Sequence, residues 1–322
     1  MNSSLVISLD FEILWGVFER QAAQDKKHML KVYDVVPKIL NLFQKYEISC
    51  TWATVGALIC CDEKDFNRIS PYQKPKYRDS KFNSYNLFEK FDQLDRRLLF
   101  APDLAKLIMS TPNQEIGSHT FSHYYTLEKG QSTEEFYEDL CSNIEISEKL
   151  GITLKSIVFP RNQYDEDYLE ICKNLRFSSF RGNPKHWAYT PMARNQQGYL
   201  RRLYRLIDAY IPLSGPLTFY LDKDYPNRMR NIRASIFFRP YSQRLKFLEA
   251  LKLRRIKYSM LEAAKNGKVF HLWWHPHNFI INMKENLDQL EQILVFYKFL
   301  EKQYGMQSLN MSDDKIYGNI KL

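Results

Sequence analysis

Short apolar runs alternate along the chain with longer segments whose apolar residues recur at helical intervals. The short runs are typical of buried strands, and a spacing of three to four residues is typical of helices that bury one face. The pattern predicts strands at residues 5–9, 48–55, 156–159, 177–180 and 269–274, and helices at residues 35–46, 102–109, 132–150, 165–175 and 285–304. This β/α alternation predicts an α/β fold with a parallel sheet and crossover helices.

Two segments interrupt the alternation. Residues 60–100 mix prolines, aromatics and both charges without a clear period, which is typical of an insertion. Residues 201–257 contain fourteen Lys and Arg against four Asp and Glu, an excess of ten, whereas the whole chain has a net charge of +9. At 322 residues and 44% apolar, the chain could form one elaborated domain or two smaller ones. We predict a single domain over residues 1–322, with insertions at about 60–100 and, basic in character, at about 188–260.

The basic segment allows more than one interpretation. A solvated helix face explains any single run of Lys and Arg, but their concentration favours a surface for phosphate, nucleotide or an anionic membrane. A nucleic-acid-binding protein would be a different class altogether. No recognised reader motif is present and the charge is confined to one segment, so we expect no nucleic-acid partner.

Targeting segments, membrane spans and paired cysteines are the sequence features that bear on cellular location and on disulfide content. The N-terminal residues do not resemble a secretory leader, and no apolar run approaches the ~20 residues of a membrane span. We expect a cytoplasmic protein, and a peripheral contact at the inner membrane face remains open. The five cysteines form an odd set without a C-x-x-C pair, which argues against both a disulfide framework and a cysteine zinc site.

Candidate chemistry is concentrated in two places. His119 and His123 have a spacing that can present two ring nitrogens to one metal ion, although two ordinary histidines on one helical face would look the same. Asp10 and Glu12 follow the first predicted strand at alternate positions, so their side chains point the same way in an extended segment. The competing interpretation is a helix N-cap followed by a first-turn acid.

A second cluster of histidines ends the last predicted strand. Five of the seven histidines lie either here or in the His119 region, a concentration that random scatter would rarely produce. His271 lies inside the strand and is expected in the core or behind the site. His275, at the strand's end before a proline, is the better catalytic candidate, and His277 is expected either in a pocket wall or in a solvent-facing loop.

Five sequence segments, in this order, resemble motifs of the polysaccharide deacetylases of the NodB-homology type, a carbohydrate esterase family. The resemblance rests on Ser8-Leu9-Asp10-Phe11-Glu12, Thr51-Trp52-Ala53-Thr54-Val55-Gly56, Glu115-Ile116-Gly117-Ser118-His119-Thr120-Phe121-Ser122-His123, Phe159-Pro160-Arg161-Asn162-Gln163-Tyr164 and His271-Leu272-Trp273-Trp274-His275-Pro276. It implies an irregular, incomplete (β/α) barrel. Two departures stand out: Phe11 separates acids that are usually adjacent, and Gln163 replaces a proline.

The resemblance also implies residue roles. Glu12, His119 and His123 would hold a divalent metal, expected to be zinc, which polarises an amide carbonyl and activates water. Asp10 would be the base, His275 would protonate the leaving amine, and Arg161 would orient Asp10. The substrate-binding candidates are the aromatic residues Tyr164, Trp187, Trp273 and Trp274, although at least one tryptophan is expected to be buried packing.

The activity implied by the resemblance is metal-dependent removal of an N-acyl group, expected to be acetyl, from an amino sugar in surface-polysaccharide or lipopolysaccharide biosynthesis. The substrate would be an amino sugar linked to a nucleotide, a lipid phosphate or a polymer. A close alternative is a deformylase of a lipid-phosphate-linked amino sugar. A catalytically inactive sugar-binding relative is a further alternative, which metal content and amine release would distinguish.

Overall fold

A curled parallel sheet forms the framework of the protein. The computed structural model describes residues 3–19, 28–90, 94–193, 196, 198–221 and 228–317, and within them the sheet has nine strands. The strands are β1 (Ser4–Phe11), β2 (Cys50–Thr54), β3 (Gln114–Ser118), β4 (Ser156–Ile157), β5 (Ser179–Phe180), β6 (Arg230–Asn231), β7 (Ile236–Phe237), β8 (Val269–Trp274) and β9 (Gln307–Leu309). Every strand pairing in this sheet is parallel.

The helices lie in the crossovers between these strands. They are α1 (Val32–Lys45), α2 (Glu63–Ile69), α3 (Asn86–Lys90), α4 (Pro102–Ser110), α5 (Thr133–Lys149), α6 (Glu166–Asn174), α7 (Tyr199–Asp208), α8 (Glu249–Asn266) and α9 (Met283–Tyr304). A capping box begins α5, since Ser132 and Glu135 bond each other's backbone N–H groups. Within the described residues, no helix combines the length and apolar character that crossing a bilayer requires.

The strand order is β6-β5-β4-β3-β2-β1-β8-β7, with β9 also paired to β1. The two edge strands, β6 and β7, follow each other in the chain. Between them, Ile232 N–H bonds the β5 carbonyl of Phe180, and Ser235 N–H bonds the β8 carbonyl of His271. The sheet therefore curls into the irregular, incomplete (β/α) barrel that the sequence predicted.

β1 is central to this barrel and is buried on both faces. Its odd-numbered residues, Leu5 to Phe11, pack in the main apolar core under the helices. On the other face, Val6 packs among strand residues in a smaller apolar cluster. Further along this inner face come Ser8 and Asp10, so the strand brings polar groups into the barrel at its C-terminal end, where catalytic groups gather in parallel α/β barrels.

A chain of hydrogen bonds satisfies these inner polar groups. The Nδ1 of His271 lies 3.0 Å from the carbonyl oxygen of Ile232, so it carries the proton and donates. Its Nε2 then accepts from the Ser8 hydroxyl, 2.8 Å away, and Ser8 accepts from Arg181 at 2.9 Å. His271 thus lies behind the site, as expected, and is needed as a neutral imidazole.

The structure corrects two details of the predicted architecture. Helix α1 begins at Val32, so Pro37 lies inside it and not in its first turn. Residues 114–118, for which no element was predicted, form β3. The single domain and the insertions at about 60–100 and about 188–260 stay predictions; β6, β7 and part of α8 fall within the second range.

Acid should destabilise the protein through His271. Burial, and then the charge of Arg181, lower the pKa of His271 from 6.5 to about 3, so the unfolded state binds a proton first and stability falls as pH drops below 6.5. Between pH 6.5 and about pH 5, the free energy of unfolding should fall by about 2 kcal/mol more in the wild type than in His271→Gln. Urea unfolding with a chelator present measures this; equal pH slopes would contradict it.

Candidate active site

The loop after β3 presents both histidines of the H-x-x-x-H motif to one point. Its backbone is held from outside by Asp139 of α5, whose carboxylate accepts the N–H groups of Phe121 (2.7 Å) and Ser122 (3.1 Å). Thr120 and His123 have φ values of 61° and 59°, a region that side-chain-bearing residues rarely adopt. The loop therefore turns sharply enough to bring the two imidazoles onto one side.

Glu12 meets these imidazoles. Its Oε2 lies 3.2 Å from the Nε2 of His119 and 2.9 Å from the Nε2 of His123, and all three side chains are buried. One ligand atom from each lies within 4.8 Å of the others. The structure thus brings together the three residues that the sequence analysis assigned to a metal, from a strand end and a loop more than a hundred residues apart.

The hydrogen bond of His119 suits a metal ion, whereas the Nδ1 of His123 has no hydrogen-bond partner among the described residues. His119 Nδ1 donates its proton to the carbonyl oxygen of Val158 at 2.7 Å, which leaves the Nε2 lone pair of a neutral ring directed at a carboxylate oxygen. Burial lowers the pKa of His123, which favours the neutral, ligating form, although Glu12 opposes the shift. Lone pairs and a carboxylate facing one point in a buried site repel one another unless a cation lies between them, so the donor set fits a divalent metal.

Asp10 is held by a buried arginine. Arg181 follows β5 and donates to both carboxylate oxygens of Asp10, at 2.6 and 2.8 Å, and its other N–H groups bond Asn162. Arg181 is fully buried, and its guanidinium lies 4.2 Å from the ring centre of Trp273. A two-pronged pair of this kind fixes the orientation of the carboxylate.

The predicted role of Arg161 is therefore wrong, because Arg181 occupies that position. Arg161 instead bonds Glu19 and, at 2.9 Å, Glu128, and stacks 4.0 Å from the ring centre of Tyr125. It still lines the cleft over the site. The sequence held one signal for Arg181: it directly follows a predicted strand, and strand ends of a parallel sheet meet at the edge where Asp10 lies.

His275 approaches both carboxylates from the end of β8. Its Nε2 is 3.6 Å from Asp10 Oδ2 and 3.5 Å from Glu12 Oε1, and it is partly exposed to the cleft. The side-chain amide of Asn278 donates to His275 Nδ1 at 3.1 Å. A neutral His275 then carries its proton on Nε2, the atom that faces the carboxylates.

Both carboxylates are ionised in the folded protein. Burial alone would raise the pKa of Asp10, but the charge of Arg181 holds that pKa below its usual value. Burial likewise opposes ionisation of Glu12, but His275 and His123, when protonated, hold its pKa well below the usual range. The site therefore concentrates negative charge at the point where the two imidazoles converge.

A cleft of about 670 Å³ opens over these groups. Of the predicted aromatic residues, Trp273 lines it, and His277 also lies in its wall, one of the two places expected for it. Trp274 is wrong as a substrate contact, because it is fully buried against Phe279 and Phe238. Within the described residues Tyr164 and Trp187 do not line the cleft: Tyr164 packs on Phe159 and Phe180, and Trp187 lies against His186 and Tyr204.

Solved structures with the same fold are distant in sequence. A candidate polysaccharide deacetylase from Mycobacterium smegmatis matches with TM-score 0.59 and 10% identity, over 97% of this chain and 89% of that one. PuuE allantoinase matches with TM-score 0.55 and 11% identity, over 95% and 87%. A GH57-type branching enzyme from the archaeon Pyrococcus horikoshii matches with TM-score 0.52 and 11% identity, over 97% and 69%. At these identities the likeness shows the fold alone.

The class of protein follows from fold and sequence together: an α/β barrel with acid and histidine groups at the carboxyl ends of its strands. The sequence model described as polysaccharide deacetylase matches residues 25–180, which include the loop of His119 and His123. Residues 25–180 of the chain are thus similar to the polysaccharide deacetylase family. No curated protein sequence matches it.

Gly16 gives a test of the metal centre that does not substitute any of its proposed ligands. A Cβ on Gly16 would lie 1.8 Å from Glu12 Oε1, so Gly16→Ala must displace that carboxylate. We expect a roughly 10- to 100-fold loss of metal affinity, the range for disturbed support of a ligand, with the fold retained. Metal titration measures it. Gly198→Ala is the matched control, because no atom lies within 4 Å of its added Cβ; equal affinities in both variants would contradict the site.

Proposed function

We propose that the protein is a metal-dependent hydrolase that removes an N-acyl group, most simply acetyl, from an amino sugar in surface-polysaccharide biosynthesis. The single observation that supports this most is the convergence of Glu12, His119 and His123 next to an ion-paired Asp10, all beneath a cleft that also contains His275. Ligand set, base and acid are the groups that hydrolysis of an amide requires.

Glu12, His119 and His123 would hold the metal. Two imidazoles and one carboxylate are a donor set of catalytic zinc sites, so zinc is the ion that we propose. When bound, a divalent cation supplies Lewis-acid chemistry: it polarises a carbonyl and makes water a stronger acid. The carbonyl of Val158 contributes indirectly, because by accepting the Nδ1 proton it fixes His119 in the tautomer that leaves Nε2 open.

Asp10 would take the proton of the attacking water. Its pairing with Arg181 keeps it ionised, so it is available as a base at neutral pH, and the same pairing fixes the direction of its lone pairs. A carboxylate with a lowered pKa is a weak base and depends on an acidified water. This need for an acidified water agrees with the position of Asp10, which lies two residues before the proposed metal ligand Glu12.

His275 would protonate the leaving amine. Its Nε2 proton faces the space between Asp10 and Glu12, and Asn278 keeps the ring in that tautomer. Trp273 and His277 would form walls for the sugar ring. Asp10 on β1 and His275 after the neighbouring strand β8 lie at the same edge of the barrel, so one can accept a proton while the other donates.

A deformylase of a lipid-phosphate-linked amino sugar is the second candidate. One observation favours it: several arginines line the same cleft as the proposed catalytic groups, and a phosphate would pair with them. The catalytic residues and their roles would be the same for a formyl as for an acetyl group. For either reaction we propose a cytoplasmic protein that acts at or near the inner membrane face.

Neutralising Asp10 and neutralising Glu12 should have different effects on metal binding and on kcat. Asp10→Asn should keep its metal but lose roughly 10²- to 10⁴-fold in kcat, the usual cost of a lost general base. Glu12→Gln should bind metal weakly and recover part of its activity when metal is in excess, because a ligand is missing. Metal titration together with amine release from N-acetylated chito-oligosaccharides measures both.

Thermal unfolding of each variant controls for loss of the fold, which matters for Asp10→Asn because Arg181 then loses its charged partner. If Asp10→Asn is folded and metal-deficient while Glu12→Gln keeps its metal, the two roles are reversed. If the wild type releases no amine with any metal, the hydrolase proposal fails.

A further inference from the structure

The cleft has two chemically different ends. Asp10, Glu12 and His275 form one end. The other end is formed by residues of α7, of α8 and of the segment after β7, and its arginines are Arg202, Arg205, Arg239 and Arg255. The basic excess of residues 201–257 is visible in the sequence, and the fold directs part of it at the proposed catalytic groups.

The fold fixes the position of these arginines from below. Arg255 is buried and bonds Asp208, the last residue of α7, at 2.7 Å, and Tyr189 donates to the same carboxylate at 2.5 Å. The ion pair between Arg255 and Asp208 holds the polar face of α7 against α8. As a result Arg205, one turn earlier, is directed at the cleft.

Arg205 lies close enough to Arg239 and Arg202 to be repelled by both. Burial, and then the charges of Arg239 and Arg202, lower the pKa of Arg205. Burial also lowers the pKa of Arg239. Like charges gathered in a half-buried cleft cost free energy, and an anion with several acceptor oxygens would offset that cost.

We propose that Arg202, Arg205 and Arg239 bind a phosphate group carried by the substrate. This rests on the proposed function and narrows its substrate class to a phosphate-bearing amino sugar. Guanidinium groups match the geometry of phosphate oxygens, and three of them from two chain segments can surround a dianion. The phosphate would belong to a lipid carrier or to a nucleotide, since the binding chemistry of the two is the same.

The test is direct binding, which does not require turnover. Isothermal titration with N-acetylglucosamine 1-phosphate should show a roughly 10- to 100-fold weaker affinity in Arg239→Gln, the range for a lost hydrogen bond to a charged group. Arg244→Gln is the matched control, because Arg244 belongs to the same basic segment, is exposed and is absent from the described cleft lining. N-Acetylglucosamine itself should bind both variants alike.

Equal affinities of Arg239→Gln and Arg244→Gln for N-acetylglucosamine 1-phosphate would overturn the site. So would an affinity that falls in His119→Ala but in neither arginine variant, because the phosphate would then bind at the metal centre. Arginine-dependent binding without amine release would leave this site standing while the hydrolase proposal fails. Prenyl-phosphate-linked and nucleoside-diphosphate-linked probes then distinguish the two sources.

A different observation concerns the outer face of α7. A surface helix normally buries its apolar stripe, but α7 does the reverse. Leu203, Leu206 and Ile207 are 38%, 38% and 39% exposed, and Leu200 is 74% exposed, whereas Asp208 on the opposite face is fully buried. The exposed apolar surface continues into Ile211 and Leu213, both about half exposed.

We infer that this face of α7 rests on an anionic lipid surface. Leu200, Leu203, Leu206 and Ile207 would enter the interface, and the basic segment to which α7 belongs would face the headgroups. A second copy of the chain is a poorer occupant, because it would bring two segments with an excess of ten positive charges each against one another. Anionic lipid complements that charge.

Vesicle co-sedimentation tests the contact. The wild type should sediment with vesicles that contain phosphatidylglycerol and less with pure phosphatidylcholine. Leu203→Gln with Ile207→Gln should weaken binding at least about tenfold, since two buried aliphatic side chains are lost. Leu107→Gln with Met109→Gln is the matched control, because these residues of α4 are 37% and 39% exposed.

Unchanged vesicle binding in the α7 variant would overturn the inference. So would a wild type that ignores vesicles and sediments as a dimer that the α7 substitutions dissociate, because a second copy would then cover this face. Circular dichroism of both variants controls for the fold.

Discussion

The proposed active site depends on placing two ionised carboxylates in a buried position. Asp10 and Glu12 are 3% and 4% exposed, and burial opposes the charge of each. Arg181 compensates Asp10 and is held in turn by Ser8 and Asn162. Around Glu12 the neighbouring groups are imidazoles, which are neutral unless they take up a proton. The described side chains therefore neutralise the negative charge of Glu12 only in part.

The two carboxylates therefore differ in how their charge is compensated. Asp10 is paired with a cation of the chain itself, whereas Glu12 is suited to bind an added ion. The arrangement also explains the backbone strain nearby. Thr120, His123 and Arg161 all have positive φ values, and a loop with such residues persists only where packing determines it, as Asp139 and the buried aromatics do here.

Much of this was predictable from the sequence, and the rest was not, for physical reasons. Five of the nine described strands follow from local patterns, and the convergence of Glu12, His119 and His123 follows from the resemblance and from the edge at which parallel strands end. Arg161 was preferred over Arg181 because a motif shows residue type and spacing, whereas a salt bridge depends on distance in space. Trp273 and Trp274 are neighbours on β8, and only strand phase decides that the first lines the cleft and the second is buried.

The pairing of β1 has a consequence for how the chain acquires its structure. The strand that carries Asp10 begins at residue 4, yet its neighbours include β8 and β9, which pair with Ser4 through Val269 and Gln307. During synthesis, β1 therefore leaves the ribosome long before β8 and β9 are made. Until then, the backbone N–H and C=O groups that pair with these two strands have no partners. Such sequence-distant pairing slows folding and favours intermediates in which an N-terminal strand is exposed to chaperones or to other chains.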